Sequence, residues 1–215
     1  MSEPVPADVQ RAMALRELLQ LPWREAVYWC VDLETTGLDP RTARIIAVAA
    51  VPVRGGAVRC AELYATRVRP GEGFVWGGTE AHHLLPGEVE GAPPLREVLR
   101  QLDPALREGV LVVHQSQVDV PILRGAYRSC QLPWPRPPVV DTVRLLQHLE
   151  HRVRWLARKP VPLDLARARQ SLGLPAYPRH DAASDAVATA ELFVTLAVRL
   201  GARTVKDLVR WGGVP

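Results

Sequence analysis

Asp32 and Glu34 stand two residues apart in Val31-Asp32-Leu33-Glu34-Thr35-Thr36-Gly37, within a stretch, 27–33, whose Val, Tyr and Trp content is that of a β-strand. Side chains alternate along a strand, so a spacing of two puts both carboxylates on one face. Like charges held that close in an apolar setting resist joint ionisation, and a cation between them is the usual remedy. Ligation by carboxylate oxygens alone suits Mg²⁺ or Mn²⁺ better than zinc, which favours His and Cys. Taken alone, such a pair is far more often the solvated end of a strand. Its company decides the matter. Asp119 follows the short apolar run 110–113 by a few residues, at the start of a helical pattern, and open mixed sheets gather ligands at strand ends. Asp185 lies one turn into an Ala-rich helical segment, with His180 five positions ahead of it. Five positions are about 140° round a helix, so the two converge only if His180 lies in the loop before the helix. Pro178 supports that placement, because it stops helix from extending upstream.

The elements that must position these residues follow from periodicity. A chain of 215 residues, 47% hydrophobic and 23% charged, has the size and composition for one large globular domain, here 25–215, preceded by a helical extension, 1–24. In the extension, Val9, Met13, Leu15, Leu18 and Leu19 recur among charged residues as in an amphipathic helix that packs on the domain or on a partner. The strand 27–33 leads through a Gly-Asp-Pro loop to a second, 44–53, and Gly55-Gly56 turns the chain into a third, about 58–69. Short turns between consecutive strands give an antiparallel meander. From Pro94, a candidate first helical residue, helix (95–102), strand (110–113), helix (120–130), strand (138–140) and helix (from Thr142) alternate, which adds two parallel strands. The expected architecture is α/β: a mixed five-stranded sheet, three antiparallel strands plus two parallel, flanked by helices. The last long helix spans about 182–200, closed by Gly201, and its Ala182, Ala183, Ala186 and Ala190 let it approach the sheet that carries Asp32. A short helix, 205–211, follows.

Composition narrows the setting. No apolar run approaches membrane-spanning length, and residues 1–8 lack a basic-then-apolar leader, so a cytoplasmic location and no membrane partner are expected. Cys30, Cys60 and Cys130 are odd in number and widely spaced, which argues for reduced core thiols and against a disulfide framework or a zinc site. The basic side chains are almost all Arg, with Lys only at 159 and 206, and a net charge of +4 permits a nucleic-acid partner without demanding one.

Asp32 and Glu34 in V-D-L-E-T-T-G-L, Asp119 in H-Q-S-Q-V-D-V-P-I-L, and His180 with Asp185 in H-D-A-A-S-D-A resemble, in order and spacing, the three motifs of the DEDDh exonucleases. This DnaQ-like group of the ribonuclease H-like fold includes the proofreading epsilon subunit of bacterial DNA polymerase III, RNase T and oligoribonuclease. The resemblance covers about 27–200; any one motif is weak and the set is specific. Gln115 and Val118 occupy places where the family usually has Asn and Phe, a difference that bears on how the terminal nucleotide is held and not on the metal ligands. The resemblance implies that Asp32, Glu34, Asp119 and Asp185 hold two Mg²⁺ or Mn²⁺ ions about 3.5–4 Å apart. It implies that His180, with an unperturbed pKa of about 6.5, takes a proton from the attacking water. Nucleoside 5′-monophosphates would leave a single-stranded or frayed 3′ end of DNA or RNA. Thr35, Thr36, Gly37 and Leu38 would meet the terminal nucleotide, Leu38 wedging beside its base, with His82 a weaker candidate in a loop. Partners of this kind are a polymerase or a second copy of the chain. The alternatives are an RNA-trimming exoribonuclease, a non-catalytic nucleic-acid-binding module on the same fold, and a small-molecule phosphate-ester hydrolase.

Other polar residues read as structural. Asp141 sits between a strand and a helix as an N-cap, Asp39 before Pro40 as a turn residue, and His114 at a strand end as a hydrogen-bonded support. Arg152, Arg154, Arg158 and Lys159 form a basic cluster that is a solvated helix face or a groove lining, with Trp155 beside it; Trp29 belongs to the first strand.

Overall fold

The computed structural model describes residues 7–69, 71, 89–153, 161–178 and 181–213. Six strands form one mixed sheet: β1 (Tyr28–Thr35), β2 (Ile45–Arg54), β3 (Ala57–Val58), β4 (Tyr64–Arg67), β5 (Val110–Val113) and β6 (Val139–Asp141). Their order is β3-β2-β1-β5-β6, with β4 also on β2. β2 runs antiparallel to β1, β3 and β4, whereas β5 runs parallel to β1 and β6 parallel to β5. The helices are α1 (Ala7–Gln20), α2 (Leu95–Glu108), α3 (Ser116–Ser129), α4 (Thr142–Val153), α5 (Leu165–Ser171), α6 (Ala182–Leu200) and α7 (Val205–Gly212). Among the described residues, no helix is long and apolar enough to cross a membrane.

Both faces of the sheet are buried, as the continuous apolar runs of β2 and β5 require. Alternation sorts the side chains of β1. Tyr28 and Cys30 join Ala49 and Val51 beneath Ala186, Ala190 and Phe193 of α6. Val31 and Leu33 face the other way, into a core with Leu99 and Leu102 of α2 and Leu123 and Tyr127 of α3. The sheet is thus the middle layer of three.

The expected third strand, 58–69, is two strands, which raises the count from five to six. Val53 pairs with Val58 while Ala50 pairs with Tyr64, so three residues of β2 correspond to six of its partner, and the surplus forms a 3-10 turn, Cys60–Glu62. Pro52 explains the break: its carbonyl accepts from the Arg59 amide, but it has no N–H to return, so the ladder stops there. Cys60 is consequently exposed in the turn, against the expectation of a core thiol, while Cys30 is buried and Cys130 is half-buried.

Other boundaries shift by a few residues. Pro94 is the N-cap of α2, with extended backbone, and Leu95 is its first helical residue. α3 begins at Ser116, four residues earlier than expected. α1 leaves Met13 and Leu15 exposed while Leu18 and Leu19 pack on the core, so its amphipathic character is confined to the C-terminal half. It lies against α7, an association extended by the backbone bond from Val205 to Leu21. The Arg11 guanidinium donates to the carbonyls of Pro135 and Arg136.

Candidate active site

β1 outruns its parallel neighbour. The β1–β5 pairing covers Tyr28 to Cys30 and ends there, so Asp32 and Glu34 lie past the last shared pair, where β5 gives way to α3. They share the Tyr28–Cys30 face and therefore point toward α6. That helix comes close because Ala182, Ala186 and Ala190 are buried against the sheet. Its first turn carries Asp185, and its N-cap is Asp181, whose carboxylate accepts from the Ser184 amide at 3.0 Å and hydroxyl at 2.8 Å. Carboxylate oxygens of Asp32, Glu34 and Asp185 all lie within 4.8 Å of one another. Glu34 is buried, and the other two are partly so.

Asp119 stands outside that group of three, in the first turn of α3. It still acts on it: after burial, the Asp119 charge is the largest influence raising the Asp32 carboxyl. α3 has no capping side chain of its own, because Gln115 before it is in the left-handed region, φ 87°. A neighbour supplies the cap. The buried Asp141 carboxylate accepts from the amides of Gln115 (3.2 Å) and Ser116 (2.9 Å), from the Ser116 hydroxyl (2.7 Å) and from the Val143 amide (2.8 Å). Asp141 is thus the expected cap of α4 and, from the end of β6, the cap of α3 as well.

Burial and mutual repulsion push three of the acids up. Burial first, then the charges of Asp119, Asp185, Glu34 and Asp181, push Asp32 well above the carboxylate range. Glu34 is pushed up to about 7 by burial, Asp185 and Asp181, and Asp119 to about 8 by burial and Asp141. Among the described residues, every charge that shifts these three carboxyls is negative, so an added cation would favour their joint ionisation. An all-oxygen donor set drawn from a strand and a helix fits a hard divalent ion.

The remaining expectations divide. His180 and His82 lie outside the described residues, as do Arg154, Arg158, Lys159 and Trp155. The Thr35 hydroxyl donates to the Gly37 carbonyl at 2.8 Å and the Thr36 hydroxyl accepts from the Arg44 amide at 2.9 Å, so both shape the β1–β2 loop. Leu38 projects from that loop, 73% exposed. His114 is structural: its ring nitrogens meet the Thr142 hydroxyl at 2.7 Å and the Leu163 carbonyl at 2.9 Å, and burial lowers its pKa. Asp39 is a turn residue whose carboxylate accepts from the Arg41 amide. Arg152 donates to the Leu200 carbonyl at 2.6 Å.

Two residues near the site escaped sequence reasoning. Asp181 could have been found, since Asp-x-x-Ser ahead of an apolar run is an N-cap pattern. Arg169, 2% exposed, bonds the Ala188 carbonyl (2.6 Å), the Pro175 carbonyl (2.9 Å) and Glu191 (2.7 Å), tying α5 to α6 just behind Asp185. Nothing in its local sequence marks it.

A three-layer mixed sheet whose central β1 and flanking helices bring carboxylates together at one end of the strands is a ribonuclease H-like fold. The exonuclease family that also contains RNase T matches residues 29–193, and the chain belongs to that family. A DNA polymerase III subunit epsilon-like protein of Rhodobacter capsulatus is 32% identical over 187 residues, 86% of this chain and 26% of that protein. A PolC-type DNA polymerase III of Thermotoga maritima is 29% identical over 171 residues, 79% of this chain and 12% of that protein. The chain therefore spans about a quarter or less of the length of these curated relatives. Among solved structures, E. coli exonuclease I in complex with a dT13 oligonucleotide aligns with a TM-score of 0.71 at 14% identity, covering 82% of this chain and 42% of that one. Exonuclease X in complex with 5′-overhanging duplex DNA aligns with a TM-score of 0.65 at 19% identity, covering 86% and 99%. These likenesses show the fold, and the DEDDh resemblance of the motifs fits them.

Proposed function

We propose that this chain is a metal-dependent 3′-to-5′ exonuclease that releases nucleoside 5′-monophosphates from single-stranded or frayed 3′ ends of DNA. The observation that carries it is the convergence of Asp32, Glu34 and Asp185 within 4.8 Å, with the Asp119 charge acting on the same group. These four would hold two Mg²⁺ or Mn²⁺ ions. Bound there, the ions supply Lewis acidity toward the scissile phosphate and its leaving oxygen and raise the acidity of a water. His180, one residue ahead of Asp181 in the sequence, would accept the proton of that water. Thr35, Thr36 and Gly37 present the loop backbone to the terminal nucleotide, and Leu38, exposed at the loop, packs beside its base. His82 is a further contact from the 72–88 segment.

DNA is preferred because the relatives are named for DNA polymerase III and the structural neighbours for DNA complexes. A polymerase is the partner those names support, and residues 25–215 form the catalytic domain, in the cytoplasm, with 1–24 as an extension. No ligating residue reads a 2′-OH, so RNA ends need their own arm in the test.

That test is release of nucleotides from matched 5′-labelled DNA and RNA strands, single and double, with Mg²⁺ and with Mn²⁺. Asp32→Ala/Glu34→Ala should lose metal-dependent degradation by at least about a thousandfold while keeping its fold. Undiminished degradation by a folded double variant would sink the proposal. Binding of 3′ ends with no release by the native chain would leave a non-catalytic module in its place.

A further inference from the structure

A second surface lies on the α3 side of the sheet. A groove of about 640 Å³ opens between the β1–β2 loop and α3, its floor formed by the buried Ile45, Val68 and Ile122. Five arginines rim it, Arg41, Arg44, Arg69, Arg124 and Arg128, and among the described residues no Asp or Glu lines it. Arg41 is shared with Asp39 at 3.4 Å on the exposed loop. Arg124 lies over the Trp134 ring at 5.8 Å, which directs its guanidinium without neutralising it. Among the described residues, Arg44, Arg69, Arg124 and Arg128 have no ion-pair partner, and all four are exposed.

The walls belong to the elements that build the acid site. Pro121, two residues past Asp119, starts one wall, and Arg124 and Arg128 continue it at a spacing of four, one above the other on one face of α3. Pro40, Arg41 and Arg44 form the other wall, in the loop that displays Leu38. The two walls meet at Gly125, where a Cβ would lie 3.6 Å from the Pro40 carbonyl. For a chain of net charge +4, four guanidinium groups with no ion-pair partner among the described residues, around one apolar-floored groove, are a large share of its excess. Such a groove focuses positive potential, and a flexible polyanion with phosphates at regular intervals is the ligand that suits it. Arginine suits that ligand further, since its fork meets two phosphate oxygens at once.

We propose that this groove holds the sugar–phosphate backbone of the nucleic acid whose 3′ end lies among Asp32, Glu34 and Asp185, guiding it away from the acids along α3. The inference rests on the exonuclease reading and adds a path for the rest of the strand. Because phosphates are gripped and bases are not, DNA and RNA strands of one length are held alike.

The test compares the native chain with Arg69→Gln/Arg124→Gln/Arg128→Gln and with Lys206→Gln, an exposed charge on α7 away from the groove. Binding of a labelled single strand is followed by fluorescence anisotropy in EDTA over a range of salt, and cleavage of that strand and of a dinucleotide is followed with Mn²⁺. Removal of the three arginines should lower the slope of log affinity against log salt by about 0.7 for each phosphate no longer neutralised, and weaken strand binding roughly tenfold. Dinucleotide cleavage and the melting temperature should stay native. An unchanged slope overturns the proposal; so does an equal effect of Lys206→Gln, or a parallel fall on the dinucleotide. A duplex with a recessed 3′ end, tested beside the single strand, tells whether the backbone held is that of the cut strand or of its complement: equal effects on both substrates assign the cut strand, and an effect confined to the duplex assigns the complement and overturns the path proposed. Should the native chain release no nucleotide with either metal, the exonuclease reading fails while the anisotropy slopes still decide the groove.

Discussion

At the scale of single residues, the acids are costly to the fold that carries them. Glu34 and Asp119 titrate at about 7 and about 8 in the folded chain, against 4.5 and 3.8 for ordinary side chains. Both shifts are upward, so between those values the folded state binds more protons than the unfolded one. Stability from this source is complete below about pH 4 and declines as pH rises, until both groups are ionised above about pH 8. The metal-free protein should therefore melt lower at pH 8 than at pH 5.5, by scanning calorimetry. Asp119→Asn, which cannot ionise, should melt about 5 °C higher than the native chain at pH 8 without metal, and show no such gain at pH 5. A variant that melts lower at pH 8 would show that the Asp119 carboxylate is compensated in a way the surrounding charges do not suggest. The same carboxyls make metal affinity pH-dependent, since each bound ion must displace protons.

At the scale of elements, the site depends on residues that are remote from it in sequence. Asp141 caps α3, whose first turn carries Asp119, across an interval of 25 residues, and no local pattern could have announced this. The start of α3 was expected four residues too late for that reason: no side chain next to Ser116 caps it, and the remote carboxylate satisfies the amides that begin the helix. Asp141→Ala should cost about 2–4 kcal/mol in urea unfolding, because it strands several donors at once, and should lower nuclease activity more than an equally destabilising change in α7. Gly109 has a comparable role for β5. A Cβ there would lie 2.3 Å from the Val27 carbonyl oxygen, which accepts from Val110 to start the β1–β5 pairing. Gly109→Ala should cost about 2–3 kcal/mol, read as a fall in melting temperature. By contrast, α6 was legible to the residue, since its Ala-rich pattern and the Gly201 that closes it, left-handed at φ 68°, are local signals.

At the scale of the whole molecule, alternation in β1, the apolar runs of β2 and β5, and the switch from hairpins to crossovers made the layered mixed sheet readable. The exception was the third strand, where the effect of Pro52 on a partner strand is a pairing property and not a local one. The acids were readable as a set because chain order matched a known motif order, while their grouping around β1 needed the fold. Ligand linkage gives a global check on that grouping. Mg²⁺ at about a hundred times its dissociation constant should stabilise the native chain by about 2.7 kcal/mol, and Asp32→Ala should abolish the shift. Thermal melts with and without the ion measure it, and an undiminished shift in the variant would place the ion elsewhere.

The divided outer strand has a consequence for how copies of the chain meet. On one side of the sheet β3 has two residues and β4 four, with a 3-10 turn between them; on the other, β6 has three residues, and Gly213 bridges Val140. Among the described residues, each margin offers only a short run of amides and carbonyls to another backbone. At the outer margin it is the proline interrupting the meander that keeps these runs short, so that margin is a poor template for a continuous cross-chain sheet.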